Sequence, residues 1–238
     1  MPLKVNFVVP VYNEEKVLEA SVRKLAGYFR NNLSGYEWKI IIADNASTDS
    51  TLQIARRLEK IEPGVKAFHI DRKGRGFALV DAWKAFPADI YAYCDVDLAT
   101  GISHTRELID AVASGFEIAT GCRYHPKSRV ERKMLRLILS KAYNRLAHAM
   151  LDTEISDLQC GFKAVSQRVL DEIVPLTKDK EWFFDSELLV IAERKGFSIK
   201  EIPVDWKESK RSKVRIFRII RDYLRDLRSL RKRLESFE

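Results

Sequence analysis

Cysteine is scarce in this 238-residue chain, and the three present, Cys94, Cys122 and Cys160, are far apart. They form neither a C-x-x-C zinc pattern nor a disulfide framework, so they read as reduced, buried thiols. Ten glycines and seven prolines leave no room for a low-complexity arm. No internal repeat is present, and no apolar run approaches the ~18 residues of a membrane span. The first apolar run is interrupted by Pro10, Asn13 and Glu14, which is not the pattern of a signal peptide. The common phosphate loops are missing too. Gly74-x-Gly76 continues to Leu79 rather than to a third glycine, which argues against a dinucleotide-binding fingerprint. There is no G-x-x-x-x-G-K-[ST] loop and no nucleophile elbow. The four histidines, His69, His104, His125 and His148, lack metal-ligand spacing and read as incidental.

What is present is a globular balance, 46% hydrophobic and 32% charged, in a length that suits one α/β domain with additions. The net charge of +8 is concentrated at one end. Residues 207–238 hold 12 Lys and Arg against 5 Asp and Glu, while the rest of the chain holds 30 against 29. A basic tail points to nucleic acid or to an anionic membrane surface.

Short β-branched runs alternate with helical periodicities. Strands are expected at Val5–Pro10, Trp38–Ala43, Val65–Ile70, Ile90–Cys94 and Phe116–Gly121. Helices are expected at Glu14–Arg30, Asp49–Ile61, Phe77–Phe86 and His104–Ala113. The alternation implies a mostly parallel sheet with helices on both faces, whose ligands bind at the carboxyl ends of the strands. A long helix over Glu131–Leu151 follows, then a turn and strand at Asp157–Val165 and a short helix. Next come a helix at Phe183–Lys195 closed by Gly196, a strand at Phe197–Val204, and an amphipathic helix from about Val214 to Phe237. No linker interrupts this order. Residues 1–214 are therefore expected to form one catalytic domain and 215–238 a basic amphipathic helix.

Four successive strand ends carry polar clusters: Val9–Glu15, Ala43–Asp49, Arg72–Gly76 and Cys94–Asp97. Helix capping accounts for any one of the first two alone, but not readily for four in a row. Asp95-x-Asp97 is the sharpest signal. Two carboxylates two positions apart in a turn can share a divalent cation and the diphosphate it carries.

Val-Pro-Val-Tyr-Asn-Glu-Glu at 9–15, Asp-Asn-Ala-Ser-Thr-Asp at 44–49 and Asp-Val-Asp at 95–97 resemble a family 2 glycosyltransferase with the GT-A fold. Gly121–Tyr124, Ser156–Lys163 and Phe184–Leu189 narrow the resemblance to the polyprenyl-phosphate hexosyltransferases. These are the dolichol-phosphate mannose synthases and the dolichyl-phosphate glucosyltransferases. The resemblance runs from about Val5 to Val214.

It implies a residue-by-residue assignment. Pro10, Tyr12 and Glu14 contact the base and ribose of a nucleotide-sugar, and Asp44 also meets the base. Asp95 and Asp97 hold Mg²⁺ or Mn²⁺ on the diphosphate. Arg123 reaches a phosphate, Arg136 and Ser140 lie on an acceptor-phosphate helix, and Lys207, Ser212 and Lys213 close over the phosphates. Two positions depart from the mannose synthases: Ala99 stands where a Gln metal ligand is usual, and Lys207 where Arg is usual. The implied reaction inverts at the anomeric carbon through an oxocarbenium-like transition state. A phosphate acceptor, with its second pKa near ~6, is already a nucleophile at neutral pH. Asp157 is the candidate base for a hydroxyl acceptor, or else a turn carboxylate that orients Arg or Lys.

The expected donor is GDP-mannose, because the anchor-free architecture resembles the shorter mannose synthases. Residues 157–163 and 184–188 look closer to the glucosyltransferases and keep UDP-glucose open. A weakly catalytic nucleotide-sugar-binding scaffold is a third reading. In the tail, Ile216, Ile220, Leu224, Leu227, Leu230 and Leu234 recur at helical spacing among arginines. That pattern suits an interfacial helix on anionic lipid at the cytoplasmic face of a membrane, or a helix packed on the domain with a solvated basic face. A separate membrane subunit is the other route to the lipid. Nucleic acid is not expected, since no recognition module appears.

Overall fold

The computed structural model describes residues 1–132, 134–208 and 216–235, without the side chains of 135–137 and 216–222. Its strands are β1 Lys4–Val11, β2 Glu37–Asn45, β3 Val65–Ile70, β4 Ile90–Cys94, β5 Ile118–Cys122, β6 Arg129–Glu131, β7 Phe162–Ser166, β8 Ile199–Pro203 and β9 Asp205–Lys207. Its helices are α1 Leu18–Asn32, α2 Thr51–Ile61, α3 Arg75–Ala85, α4 Thr105–Ala113, α5 Met134–Leu151, α6 Gln167–Glu172, α7 Phe184–Arg194 and α8 Ile216–Leu234. Seven strands form one sheet in the order β3-β2-β1-β4-β7-β5-β8. Only β7 runs antiparallel to its neighbours.

Strand residues alternate between two cores because successive side chains leave opposite faces. On β1, Val5, Phe7, Val9 and Val11 pack with α1, α2 and α4, while Val8 joins Trp83 of α3 and Phe184 of α7 on the other face. β4 divides likewise, with Ile90, Ala92 and Cys94 against Tyr91 and Tyr93. Burial on both faces explains why these strands read as near-continuous apolar runs. Asn6 is the polar exception in β1. It is buried, and its amide donates to Phe86 O at 2.7 Å, satisfying the last turn of α3.

The order reverses at β1, whose neighbours are β2 and β4, so the ligand crevice of such a sheet lies beyond the carboxyl ends of these strands. Asn13 (φ 56°), Ala46 (φ 62°) and Leu98 (φ 50°) take left-handed backbone conformations in the loops there. The first of these delays α1. The sequence period begins at Glu14, but the turn through Asn13 leaves Leu18 as the first helical residue, with its N–H on Glu14 O at 3.0 Å. Gly196 ends α7 as expected, at φ 75°.

One feature departs from the sequence reading, and another bears on two alternatives that the sequence leaves open. β6 and β9 form a separate parallel ribbon of three residues each, which ties the segment after β5 to the segment after β8. Lys207 N donates to Ala99 O at 2.8 Å and Gly101 N to Asp205 O at 2.6 Å. The second feature is the tail. Leu227, Leu230 and Leu234 of α8 are buried in the same core as α7 and α5. Tyr223 stacks at a tilt on Tyr143, 5.0 Å between centroids, and Arg233 pairs with buried Glu187. The second half of the apolar stripe is therefore engaged by the domain and is not free to enter a bilayer. Arg225, Arg228, Arg231 and Lys232 remain exposed. Among the described residues no helix is long and apolar enough to cross a membrane.

Candidate active site

β4 ends in the turn that carries Asp95 and Asp97. Leu98 N closes the turn on Asp95 O at 3.0 Å, and Ala99 N donates to Asp97 Oδ1 at 3.1 Å. Both carboxylates are accessible, the Asp95 side chain being 46% exposed. Gly161 lies directly beneath. A Cβ there would stand 2.3 Å from Asp95 Oδ2 and 2.8 Å from Arg75 Nη2, so only glycine permits this approach.

Arg75, in the first turn of α3, links Asp95 to the interior. Its Nη2 is 3.1 Å from Asp95 Oδ1, and its Nη1 donates to Asp185. Asp185 is buried and also accepts from Tyr93 and from Lys163 Nζ at 2.9 Å. Burial alone would raise the Asp185 pKa, but Arg75 and Lys163 outweigh it and hold it below the usual carboxylate range. Burial likewise opposes the charge on Arg75, and Asp185 and Asp95 reverse the effect. The network fixes the Asp95 carboxylate from behind.

Asp157 is fully buried and holds Arg123 in a fork. Arg123 Nε and Nη2 donate to its two oxygens at 2.7 Å each, and the Arg123 backbone N–H donates at 2.9 Å. Gln159 N adds a fourth donor at 3.2 Å. Burial pushes the Asp157 pKa up, and the charge and hydrogen bonds of Arg123 bring it below the usual value. A carboxylate so satisfied is a weak proton acceptor, and the geometry is that of a turn carboxylate orienting an arginine. The general-base assignment for Asp157 has no support in this arrangement.

Arg123 lies 5.8 Å from the Trp206 ring centroid and Arg132 lies 5.2 Å from it. Arg132 Nη1 donates to Ser140 Oγ at 2.9 Å, while its buried Nε has no hydrogen-bond partner. Burial, and then Arg123, depress its pKa. Two guanidiniums crowded around one indole, one with a donor unused, make a corner suited to an anion. Trp206 is bridged to Thr100, which sets this corner beside the Asp95–Asp97 turn.

On the other side of the crevice, Asp44 is fully buried, with Oδ2 2.6 Å from His69 Nδ1. Tyr12 carries Lys73 Nζ 4.0 Å over its ring. Asn13 locks the first loop to the second, its Oδ1 accepting from Thr48 N at 2.8 Å. Pro10 is buried within β1 opposite Ala43, and Glu14 shapes the turn into α1, its N–H on Thr51 Oγ1 at 2.8 Å. Pro10 therefore offers no open side-chain contact, whereas Glu14 is half-buried at the edge of the crevice. Lys207 pairs with Glu131 at 2.6 Å on the surface. The Arg136 side chain, Ser212 and Lys213 lie outside the described residues.

The site fits a hard divalent cation only in part. Two oxygen-donor carboxylates are present, Ala99 offers no side-chain ligand, and no group of three acidic, His or Cys side chains converges among the described residues. That set suits Mg²⁺ or Mn²⁺ when phosphate oxygens complete the shell. Sequence reasoning gives no role to Arg75, Lys163, Asp185, His69 or Trp206, and places Arg132 only on the basic face of the long helix. The readable signal was a lysine in Phe-Lys-Ala-Val and an aspartate in Phe-Asp-Ser-Glu-Leu-Leu-Val, charges set in segments otherwise fit for burial.

A mostly parallel sheet with an Asp-x-Asp turn at its switch point defines the GT-A class of glycosyltransferase folds. The chain belongs to the family described as glycosyl transferase family 2, whose model matches residues 6–174. It is similar to the glycosyltransferase AglD of Haloferax volcanii, 37% identical over 220 residues, covering 92% of this chain and 35% of that protein. It is also similar to the dolichyl-phosphate beta-glucosyltransferase of Saccharomyces cerevisiae, 28% identical, covering 87% of this chain and 68% of the relative. The chain thus spans about a third of the first relative's length and about two thirds of the second's. Among solved structures, glucosyl-3-phosphoglycerate synthase of Mycobacterium tuberculosis superposes with a TM-score of 0.73 at 18% identity, covering 97% of this chain and 80% of that one. At that identity the likeness concerns the fold.

Proposed function

We propose that this domain transfers glucose from UDP-glucose to a dolichyl or related polyprenyl phosphate. The observation that carries the reading is the Arg123–Arg132 corner around Trp206, set beside the Asp95–Asp97 turn. Together they provide for two phosphate-bearing substrates in one crevice. The mannose donor expected from the architecture gives way to glucose, because the yeast and Trichomonas vaginalis relatives are named dolichyl-phosphate beta-glucosyltransferases.

In this reading Asp95 and Asp97 hold the cation, which neutralises the diphosphate leaving group as a Lewis acid. Arg75 and Gly161 keep Asp95 in place. Arg123, oriented by Asp157, and Arg132, anchored on Ser140, bind the acceptor phosphate. An acceptor already ionised at neutral pH needs no general base, consistent with the saturated state of Asp157. The exposed arginines of α8 bring the domain to an anionic membrane surface, each adding roughly 1 kcal/mol near the headgroups. The test is a comparison of UDP-glucose and GDP-mannose as labelled donors with dolichyl phosphate, with Mn²⁺ and with EDTA. Label should reach lipid from UDP-glucose and only with metal. Transfer from GDP-mannose alone, or undiminished transfer in EDTA, would contradict the reading.

A further inference from the structure

The two oxygens of Asp44 are in different situations. Oδ2 is bound to His69 Nδ1, while Oδ1, equally buried, has no hydrogen-bond partner. The pairing follows from register: Asp44 sits opposite Val11 on β1 and opposite His69 on β3. His69 is fixed from its far side by Asp71, whose Oδ1 is 2.9 Å from Nε2. Carboxylates accept hydrogen bonds, so both ring nitrogens act as donors and neither is left for a ligand. The hydrogen bond to Asp44 is also the chief cause that raises the His69 pKa. Tyr12 and Lys73, from the neighbouring loops, add a flat ring and a cation. A single buried acceptor without a partner is costly unless a donor arrives.

The bases of nucleotide-sugars differ in the donors they present. Uracil offers one ring N–H, at N3, between two carbonyl oxygens. Guanine offers two adjacent donors, N1–H and the N2 amine, which a free carboxylate receives with both oxygens. On Asp44 only Oδ1 is without a partner, and a second donor would have to crowd in beside the His69 ring on Oδ2. We propose that His69 is a positioning residue that makes Asp44 a single-acceptor reader and so selects a uridine over a guanosine nucleotide. The proposal rests on the reading of this crevice as a nucleotide-sugar site. A second guanine donor left buried without a partner weakens binding by roughly ten- to a hundredfold.

The experiment titrates the intact protein with UDP and with GDP, each with Mn²⁺, by calorimetry, so no acceptor is needed. The wild type should prefer UDP by at least about tenfold. His69→Ala frees Oδ2 and should collapse that preference, mainly by tightening GDP. His69→Gln, which keeps bulk but places no donor at the Nδ1 position, should do the same and serves if the alanine variant fails to fold. His69→Asn restores a donor near Nδ1 and should restore the preference. A UDP preference that persists unchanged in the alanine and glutamine variants overturns the role of His69 and leaves the nucleotide-sugar reading standing. Failure of the wild type to bind either nucleotide overturns both.

Discussion

Arg75 Nη2 stands 3.1 Å from Asp95 Oδ1, with the rest of its guanidinium sunk into the pocket of Asp185. One end of a buried ion network therefore emerges as the carboxylate that faces the crevice. This divides the acidic turn into a supported residue, Asp95, and an exposed one, Asp97, and the two should respond differently to mutation.

Asp97→Ala removes an exposed carboxylate whose Oδ1 accepts the Ala99 N–H. Transfer should fall below detection, while thermal unfolding moves little, in keeping with an exposed position. Retained activity in this variant would remove Asp97 from the metal site.

Arg75→Ala should damage stability as well as transfer. It strips one cation from buried Asp185 and leaves Lys163 as the remaining one. Breaking a buried pair costs about 3–5 kcal/mol. Urea midpoints of Arg75→Ala and Asp97→Ala measured side by side should separate clearly, with only the first displaced.

Arg132→Ala should weaken use of lipid phosphate by about ten- to a hundredfold, the scale of one charge-assisted contact of roughly 1.5–3 kcal/mol. Hydrolysis of the donor in the absence of acceptor should be nearly unchanged. Equal losses in both assays would place Arg132 in donor binding or in structure.

The pH dependence of stability follows from Asp157 and Asp185, whose folded pKa values lie below the unfolded value of about 3.9. Below their folded pKa values these groups bind protons equally in both states. Between the folded and unfolded values only the unfolded chain binds them. The stabilisation they give is complete above about pH 4 and is lost as pH falls through the lower folded values. Asp157→Asn should flatten part of that acid limb in urea midpoints taken between roughly pH 2 and 5, and an unchanged limb would contradict the assignment.

In α8, Leu230→Ala removes a core side chain and should cost about 2–5 kcal/mol. Reversing Arg225, Arg228 and Arg231 to Glu should leave the melting temperature nearly intact while abolishing low-salt sedimentation with anionic liposomes. If the reversed variant still sediments, the exposed face of this helix is not the membrane contact.

The strand and helix order was legible because each buried strand is a run of β-branched residues and each helix carries an apolar period. The Asp95-x-Asp97 turn and the Asp44 cluster were legible because they follow such strands. What sequence could not show was pairing at a distance. Nothing local distinguishes an arginine that holds Asp185 from a solvated one, and Arg75 was read as part of a weak glycine loop. The sequence around Asp157 suits a base and an anchor equally, and only the fold shows Arg123 filling both its oxygens. β6 and β9 were missed because three residues are too few to show a period. The α8 stripe showed an apolar face, but not that Leu227, Leu230 and Leu234 are covered by the domain itself.

In the proposed reaction the phosphate gathered at Arg123 and Arg132 belongs to a lipid. The direct measurement offers UDP-glucose and Mn²⁺ together with dolichyl phosphate and 3-phosphoglycerate in equal amounts, and identifies the products by mass spectrometry. The expected product is hexosyl dolichyl phosphate, lost in Asp97→Ala and diminished in Arg132→Ala. Glucosyl-phosphoglycerate as the main product, or free glucose with no lipid-linked sugar, would contradict it.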